Sequence, residues 1–263
     1  MSIKLAAQMY TIRDFTKTEK DLSESLVKLH RIGYPAVQAS AVGAMDGDTP
    51  AVSASLFRRM MDDNALKCIA THRNWESLAA STDKEIEFHH QIGCNFAAIG
   101  GLPNSYSKDG LEGYSRFLKD AAPVIAKLKA AGIQFGVHNH DHEFERLGPN
   151  NRWPHSILLE DGGNDLKLEV DLYWVHHAGV NPIKRMSDCK GRTPVIHIKD
   201  MEVVPGAGPN TAAVGEGNMD WDSILPACHN AGVEWYAVEQ DVCRRDPFDC
   251  LRSSFEYLRS KGV

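Results

Sequence analysis

Apolar positions in this chain gather into short continuous runs, and each run follows a longer segment that is apolar on one side only. The junction between the two repeats. Leu29-His30-Arg31-Ile32-Gly33 precedes Ala36-Val37-Gln38-Ala39, and His90-Gln91-Ile92-Gly93 precedes Phe96-Ala97-Ala98-Ile99. Lys129-Ala130-Ala131-Gly132 precedes Gln134-Phe135-Gly136-Val137, and His229-Asn230-Ala231-Gly232 precedes Trp235-Tyr236-Ala237-Val238. A glycine just past a helix end takes the left-handed conformation at low steric cost. Continuous apolar runs suit strands covered on both faces, as in parallel sheets. The repeat therefore predicts helix, turn, buried strand, again and again.

Four further runs complete the set: Lys4 to Met9, Lys67 to Thr71, Leu166 to Asp171 and Pro194 to Ile198. Eight strands are expected, near residues 4, 36, 67, 96, 134, 167, 194 and 235, with helices such as 21–31, 54–65, 113–131 and 247–260 between them. Eight strand–helix units in about 250 residues match a (β/α)8 TIM barrel. An α/β open, doubly wound sheet is the second architecture this pattern allows. No GxGxxG turn follows the first strand, which weakens its dinucleotide-binding form. No linker or composition shift divides the chain, so residues 1–263 read as one domain. Two stretches break the rhythm: the polar 142–151, and 201–220 with four glycines and no clear helix. The second is expected to be either a binding loop or poorly ordered.

Composition adds limits. The 263 residues are 43% hydrophobic and 24% charged, with a formal net charge of -6, which argues against a nucleic-acid partner. No long apolar span and no charged leader with an apolar core are seen, and six cysteines are scattered without a CxxC pair. A cytoplasmic protein with reduced thiols and no membrane partner is expected.

Chemistry collects where the strands end, which in such barrels is the catalytic face. Those ends read Gln8-Met9-Tyr10, Gln38-Ala39-Ser40, Thr71-His72-Arg73, Gly100-Gly101, His138-Asn139-His140, Glu169-Val170-Asp171, His197-Ile198-Lys199-Asp200 and Glu239-Gln240-Asp241. A strand alternates its side chains, so His138 and His140 share a face, as do Glu169 and Asp171, and His197 and Lys199. Asp171, His197 and Glu239, with Glu143 one step beyond strand five, supply three carboxylates and one imidazole. That set suits Mn²⁺, Mg²⁺, Co²⁺ or Zn²⁺ with positions left open for substrate oxygens. Bland roles compete at other positions. His72 is either a hydrogen-bonded core histidine or a pocket residue. Glu169 is expected to turn to a structural partner, His89 and His90 to serve the end of a helix, and His176 and His177 to be structural or to touch substrate.

These strand-end motifs, taken together, resemble the xylose isomerase-like TIM barrels that include sugar phosphate isomerases/epimerases. The similar segments are Gln8 to Asp14, His138-Asn139-His140-Asp141-His142-Glu143-Phe144 (the HNHxxEF segment of one branch), Asp171 to Trp174, His197 to Asp200, Gly215-Glu216-Gly217 with Asp220-Trp221, and Val238-Glu239. The resemblance spans essentially the whole chain. It implies one divalent metal, Mn²⁺ foremost, on Glu143, Asp171, His197 and Glu239, and removal of a proton next to the carbonyl of a sugar or keto-sugar. It makes His140 the first candidate base, with Glu239 or Glu143 as a metal-bound second, and Lys199 a support for developing negative charge. His72, Tyr10 and Trp174 are expected to line the sugar pocket. The chain departs from the common pattern at Gln38, where many relatives carry a carboxylate; this alters a substrate contact or removes a second acid/base. It departs again on strand five, where histidine stands in place of glutamate, which favours a histidine-based isomerase, dehydratase or lyase over a two-glutamate epimerase. His138 is expected behind the site and His142 in loop structure. An apurinic-site endonuclease or an idle sugar-binding subunit are the rival expectations, and self-association is left open.

Overall fold

In the computed structural model, which describes residues 4–263, eight parallel strands form one sheet. They are β1 (Lys4–Gln8), β2 (Ala36–Ala39), β3 (Lys67–His72), β4 (Phe96–Ile99), β5 (Gln134–His138), β6 (Leu166–Glu169), β7 (Val195–Ile198) and β10 (Trp235–Val238). β8 (Asp200–Val204) and β9 (Gly208–Ala212) form a separate antiparallel hairpin. In the large sheet each strand pairs with its sequence neighbour from β1 to β6, and β10 joins β1 to β7. The ring is closed between β6 and β7 by one bridge, Asp171 to His197, where the His197 N–H donates to the Val170 carbonyl at 3.0 Å. This nearly closed barrel with helices between its strands is a TIM barrel. All eight expected strands are present, and the last helix runs 247–260 as expected.

The repeated glycines do what the pattern required of them. Gly33, Gly93 and Gly232 sit just past helix ends with φ of 115°, 69° and 87°, and their N–H groups return to carbonyls of the last helical turn. The glycine-rich stretch 201–220 is not a bare loop: its first part folds into the β8–β9 hairpin, which Asp200 anchors.

Inside the barrel the strand starts are small and apolar. Ala6, Ala36, Ile69, Ala70, Phe96, Ala98, Val195 and Ala237 make one inner cluster. The small residues leave room for one large ring, Phe96. Gly136 completes the fit, since a Cβ there would stand 2.6 Å from that ring. Above this layer, toward the strand ends, the same alternation brings in Gln8, Gln38, His138, Glu169, His197 and Glu239, all buried.

β3 needs a correction to reach this layer. Its register against β2 shifts, pairing Val37 with Cys68 but Gln38 with Ala70. The extra residue, Ile69, is a bulge. Ile69 and Ala70 both join the inner cluster, Thr71 turns outward to a helix, and His72 points into the barrel. Unbulged alternation from the outward Cys68 would aim His72 out.

Thr71 meets His89, a fully buried residue late in the helix Thr82–Ile92. Its Nδ1–H donates to the Glu85 carbonyl at 2.7 Å and its Nε2 accepts from the Thr71 hydroxyl at 2.8 Å. Burial disfavours a second proton on this ring and lowers its pKa to about 4. A histidine lowered by folding stabilises the native state above its unfolded value of 6.5, and loses that stability as pH falls from 6.5 toward 4. Going from pH 8 to pH 5 should cost about 2 kcal/mol through this group. In His89→Gln the corresponding loss should be smaller by that amount in denaturant titrations at the two pH values. Equal losses in both proteins would refute the assignment.

No helix among the described residues is long and apolar enough to cross a membrane.

Candidate active site

The strand ends converge on two hydrogen-bonded groups and one open imidazole. Asp171, His197 and Glu239 place donor atoms within 4.8 Å of one another, and all three are buried. His197 Nδ1 stands 2.8 Å from Glu239 Oε2 and 3.9 Å from Asp171 Oδ2. Its other nitrogen, Nε2, donates to Gln38 Oε1 at 2.9 Å. Gln38 turns its amide N–H to Glu169 at 2.9 Å. Gln38, expected to touch substrate, thus has both ends of its amide engaged beneath the site, where it fixes the orientation of the His197 ring.

Lys199 lies at the centre. Its Nζ is 2.6 Å from Glu239, 2.9 Å from Asp171 and 2.8 Å from Asp241. Burial pulls the ammonium pKa down, and the three carboxylates outweigh it, leaving Lys199 firmly charged. Burial also opposes charge on His197, and Glu169 and Glu239 overcome this to raise it to about 10. Asp171 is the exception among the carboxylates: burial pushes it up to about 6 against the pull of Lys199 and His197.

The residues fit a divalent metal. Asp171 Oδ2 is buried with only the Lys199 ammonium close by, at 2.9 Å, and two carboxylate oxygens and an imidazole nitrogen converge there. That mixed set suits a hard-to-borderline cation. Two positive charges, on Lys199 and His197, now balance carboxylates that a divalent ion would balance instead.

Glu143, the fourth expected ligand, is not brought into this group. It lies on a short 3-10 turn, His142–Phe144, where its carboxylate accepts from the His140 main-chain N–H at 2.8 Å and faces His142 Nε2 at 3.0 Å and the Tyr114 hydroxyl at 3.5 Å. It forms a separate donor group with His140 and His142.

His140 is the open imidazole. Its ring stacks on His142 with centroids 5.6 Å apart and meets Trp174 at 5.5 Å. Its Nδ1 is buried and has no partner. Burial lowers its pKa, so the neutral form is favoured. Trp174 has a buried indole N–H without an acceptor, and Lys199 lies 5.9 Å from its ring. Gln8 also leaves its amide N–H group unpartnered. These buried atoms leave unused donors and acceptors at the strand ends. Tyr10, partly exposed beside them, carries the Arg13 guanidinium over its ring at 4.2 Å. His72 is partly exposed and is tied to Glu169 at 2.5 Å.

Two residues were missed by reasoning from sequence. Asp241 holds Lys199; its signal was period two from Glu239. Asn139, just past the end of β5, brackets the main chain of Asp171, accepting from its N–H at 3.0 Å and donating to its carbonyl at 3.4 Å. Nothing in spacing foretold that. A cavity of about 720 Å³ also opens at the opposite end of the barrel, lined by strand starts such as Lys67, Phe96 and Trp235. It contains no imidazole, and its Asp62 is paired with Arg58, so the chemistry belongs at the strand ends.

The xylose isomerase-like TIM barrel family matches residues 26–261. The chain belongs to that family. Among solved structures, it superposes on a sugar phosphate isomerase/epimerase from Parabacteroides distasonis with a TM-score of 0.80 at 21% identity, covering 99% of this chain and 94% of that one. It also superposes on a probable 3-DHS dehydratase involved in petrobactin synthesis from Bacillus anthracis, with a TM-score of 0.71 at 12% identity, covering 98% and 99%. An L-ribulose 3-epimerase gives a TM-score of 0.71 at 14% identity, covering 99% and 97%. At these identities the likeness is one of fold. No curated protein matches the chain in sequence.

Proposed function

We propose that this xylose isomerase-like barrel is a divalent-metal-dependent isomerase or epimerase of a sugar or keto-sugar, and that it works by removing a proton next to a carbonyl. The observation that carries this reading is His140. It is an unpartnered imidazole kept neutral by burial, in van der Waals range of Trp174, which in turn lies beside Lys199 and the Asp171–His197–Glu239 group.

Asp171, His197 and Glu239 would hold the metal, with Mn²⁺ suited to two carboxylates and one imidazole. Bound there, it supplies Lewis-acid polarisation of the substrate carbonyl. The partly exposed His140 ring accepts the proton from the adjacent carbon, and its lowered pKa keeps a lone pair free at neutral pH. Lys199 places positive charge where negative charge grows on the carbonyl oxygen. The partly exposed Trp174 face suits the apolar side of a sugar ring. Glu143 would join the metal only by giving up the His140 N–H and His142. In its present place it braces the base-bearing turn.

A second reading, elimination from a 3-keto-glycoside or dehydration of a keto-inositol, begins with the same proton removal. The specific observation in its favour is that strand five presents imidazoles where a pair of opposed carboxylates would suit epimerisation. Incubating Mn²⁺-loaded protein with keto-sugars and 3-keto-glycosides in D₂O separates the two by NMR. Deuterium uptake with an isomeric product supports the first reading, and an unsaturated product the second. No uptake on any substrate, with and without metal, would sink both. Finding three zinc ions per chain would instead favour the endonuclease reading.

A further inference from the structure

Beneath the Asp171–His197–Glu239 group lies a second convergence of donors that the reaction above does not use. Glu169 is fully buried, and three imidazole nitrogens surround its Oε2: His72 Nε2 at 2.5 Å, His197 Nε2 at 3.3 Å and His138 Nδ1 at 3.7 Å. These four ligand atoms lie within 4.8 Å of one another. His197 is already placed by Gln38 and Glu239, which leaves His72, His138 and Glu169 to one another.

As a set of hydrogen bonds this group is incomplete. A single carboxylate oxygen serves His72 well, but His138 Nδ1 has no partner although its side chain is only 4% exposed. His138 has no better option on its other side, where Nε2 stands 3.8 Å from Asp171, too far for a hydrogen bond. A buried imidazole nitrogen aimed at a carboxylate, with nothing between, is what a missing cation would leave. The spacing agrees. With bonds of 2.0–2.1 Å, neighbouring ligand atoms of a tetrahedral site lie about 3.3 Å apart, and the separations from Glu169 Oε2 straddle that value. The remaining elements of a metal site are also present. Gln38 donates to the free oxygen of Glu169 at 2.9 Å, orienting the carboxylate. His72 is 17% exposed, so solvent reaches this group through its ring, and Gly100 packs so close to that ring that a Cβ there would stand 3.2 Å from Nδ1.

We infer that His72, His138 and Glu169 form a second metal site, a two-histidine, one-carboxylate face that takes a borderline transition ion such as Co²⁺ or Zn²⁺ in preference to Mg²⁺. It is separate from the Asp171–His197–Glu239 group, with His197 between the two. The chain then has two metal positions of different softness. The upper one has two carboxylates and one imidazole; the lower one has two imidazoles and one carboxylate.

The two positions are distinguished by how many imidazoles each contributes. Metal-stripped full-length protein is titrated with Co²⁺ alone and followed by bound-metal analysis and by proton NMR of the paramagnetically shifted imidazole N–H signals. Two Co²⁺ per chain with three shifted N–H signals are expected, and His72→Gln or His138→Gln should each remove one Co²⁺ and leave a single signal. Mg²⁺ in excess should not displace the ion held by the lower site. One Co²⁺ with a single signal overturns the second site and leaves the upper one standing. One Co²⁺ with two signals supports the second site and counts against the upper one. Because the signal count is read on the unmutated protein, a variant that fails to fold does not spoil the test. Unchanged stoichiometry in folded His72→Gln and His138→Gln would also overturn the inference.

Discussion

Replacing His140 by alanine is expected to cut solvent-proton exchange into a keto-sugar by about 10²- to 10⁴-fold, the range a positioned general base contributes. Metal content should be unchanged, because His140 lies outside the Asp171–His197–Glu239 group. The fold should survive: the ring is partly exposed, and it contributes stacking on His142 and Trp174 rather than hydrogen bonds. The pH profile gives an independent check. A base must be unprotonated, and burial lowers the pKa of His140 below 6.5. The acid limb of the exchange rate, measured at saturating metal, should therefore fall below pH 6.5. Exchange that persists in His140→Ala at the wild-type rate would transfer the role to another group, with Glu239 next in line.

Asp200 should give the largest loss of stability. Its carboxylate is fully buried and accepts four hydrogen bonds: from the Met201 N–H at 2.8 Å, the Met219 N–H at 3.0 Å, the Gly215 N–H at 2.9 Å and the Trp221 indole at 2.7 Å. One side chain thus ties the start of the β8–β9 hairpin to the Gly215–Trp221 segment. Gly217 packs so close that a Cβ there would lie 2.4 Å from Asp200 Oδ1. In Asp200→Asn the amide nitrogen must face two donors, which loses two charge-assisted bonds and leaves their donors buried. A loss of about 3 kcal/mol or more is expected in chemical denaturation. Limited proteolysis should move to residues 200–220, where Thr211 keeps its bonds to Gln240 and Val242 but the start of the hairpin loses its anchor. A variant as stable as wild type, with that segment still protected, would show that the four bonds matter less than their geometry implies. Lys199 is the next residue along, so loosening this anchor should also weaken metal binding.

The role of Asp200 shows where reading the sequence stopped. The HIKD segment marks a strand end, and the glycines at 206, 208, 215 and 217 mark turns, but nothing local says that one carboxylate serves donors up to 21 residues away. Gln38 is a similar case. As a departure from the family pattern it pointed to a changed substrate contact. In the folded chain it bridges Glu169 and His197, residues more than 130 positions further on. Glu143 shows the limit from the other side. The motif placed it among the metal ligands, while the 3-10 turn at 142–144 directs it to the His140 N–H.

Order along the chain pointed to a barrel, with an open sheet as the second architecture, and to the strand ends as the place where ionisable residues collect. Each strand is buried on both faces and each helix on one, and this leaves periodic apolar runs that survive without knowledge of neighbours. Period two along each strand likewise assigned His138 with His140, Glu169 with Asp171, and His197 with Lys199. The folded structure decided which of these residues meet. It brought Asp171, His197 and Glu239 around Lys199 because ring closure lays β6 and β10 on either side of β7. It turned His72 inward because a single bulged residue at Ile69 reversed the alternation of β3. Such facts depend on pairing register and on one extra residue between strands. A hydrophobic pattern constrains each strand separately and is silent about both.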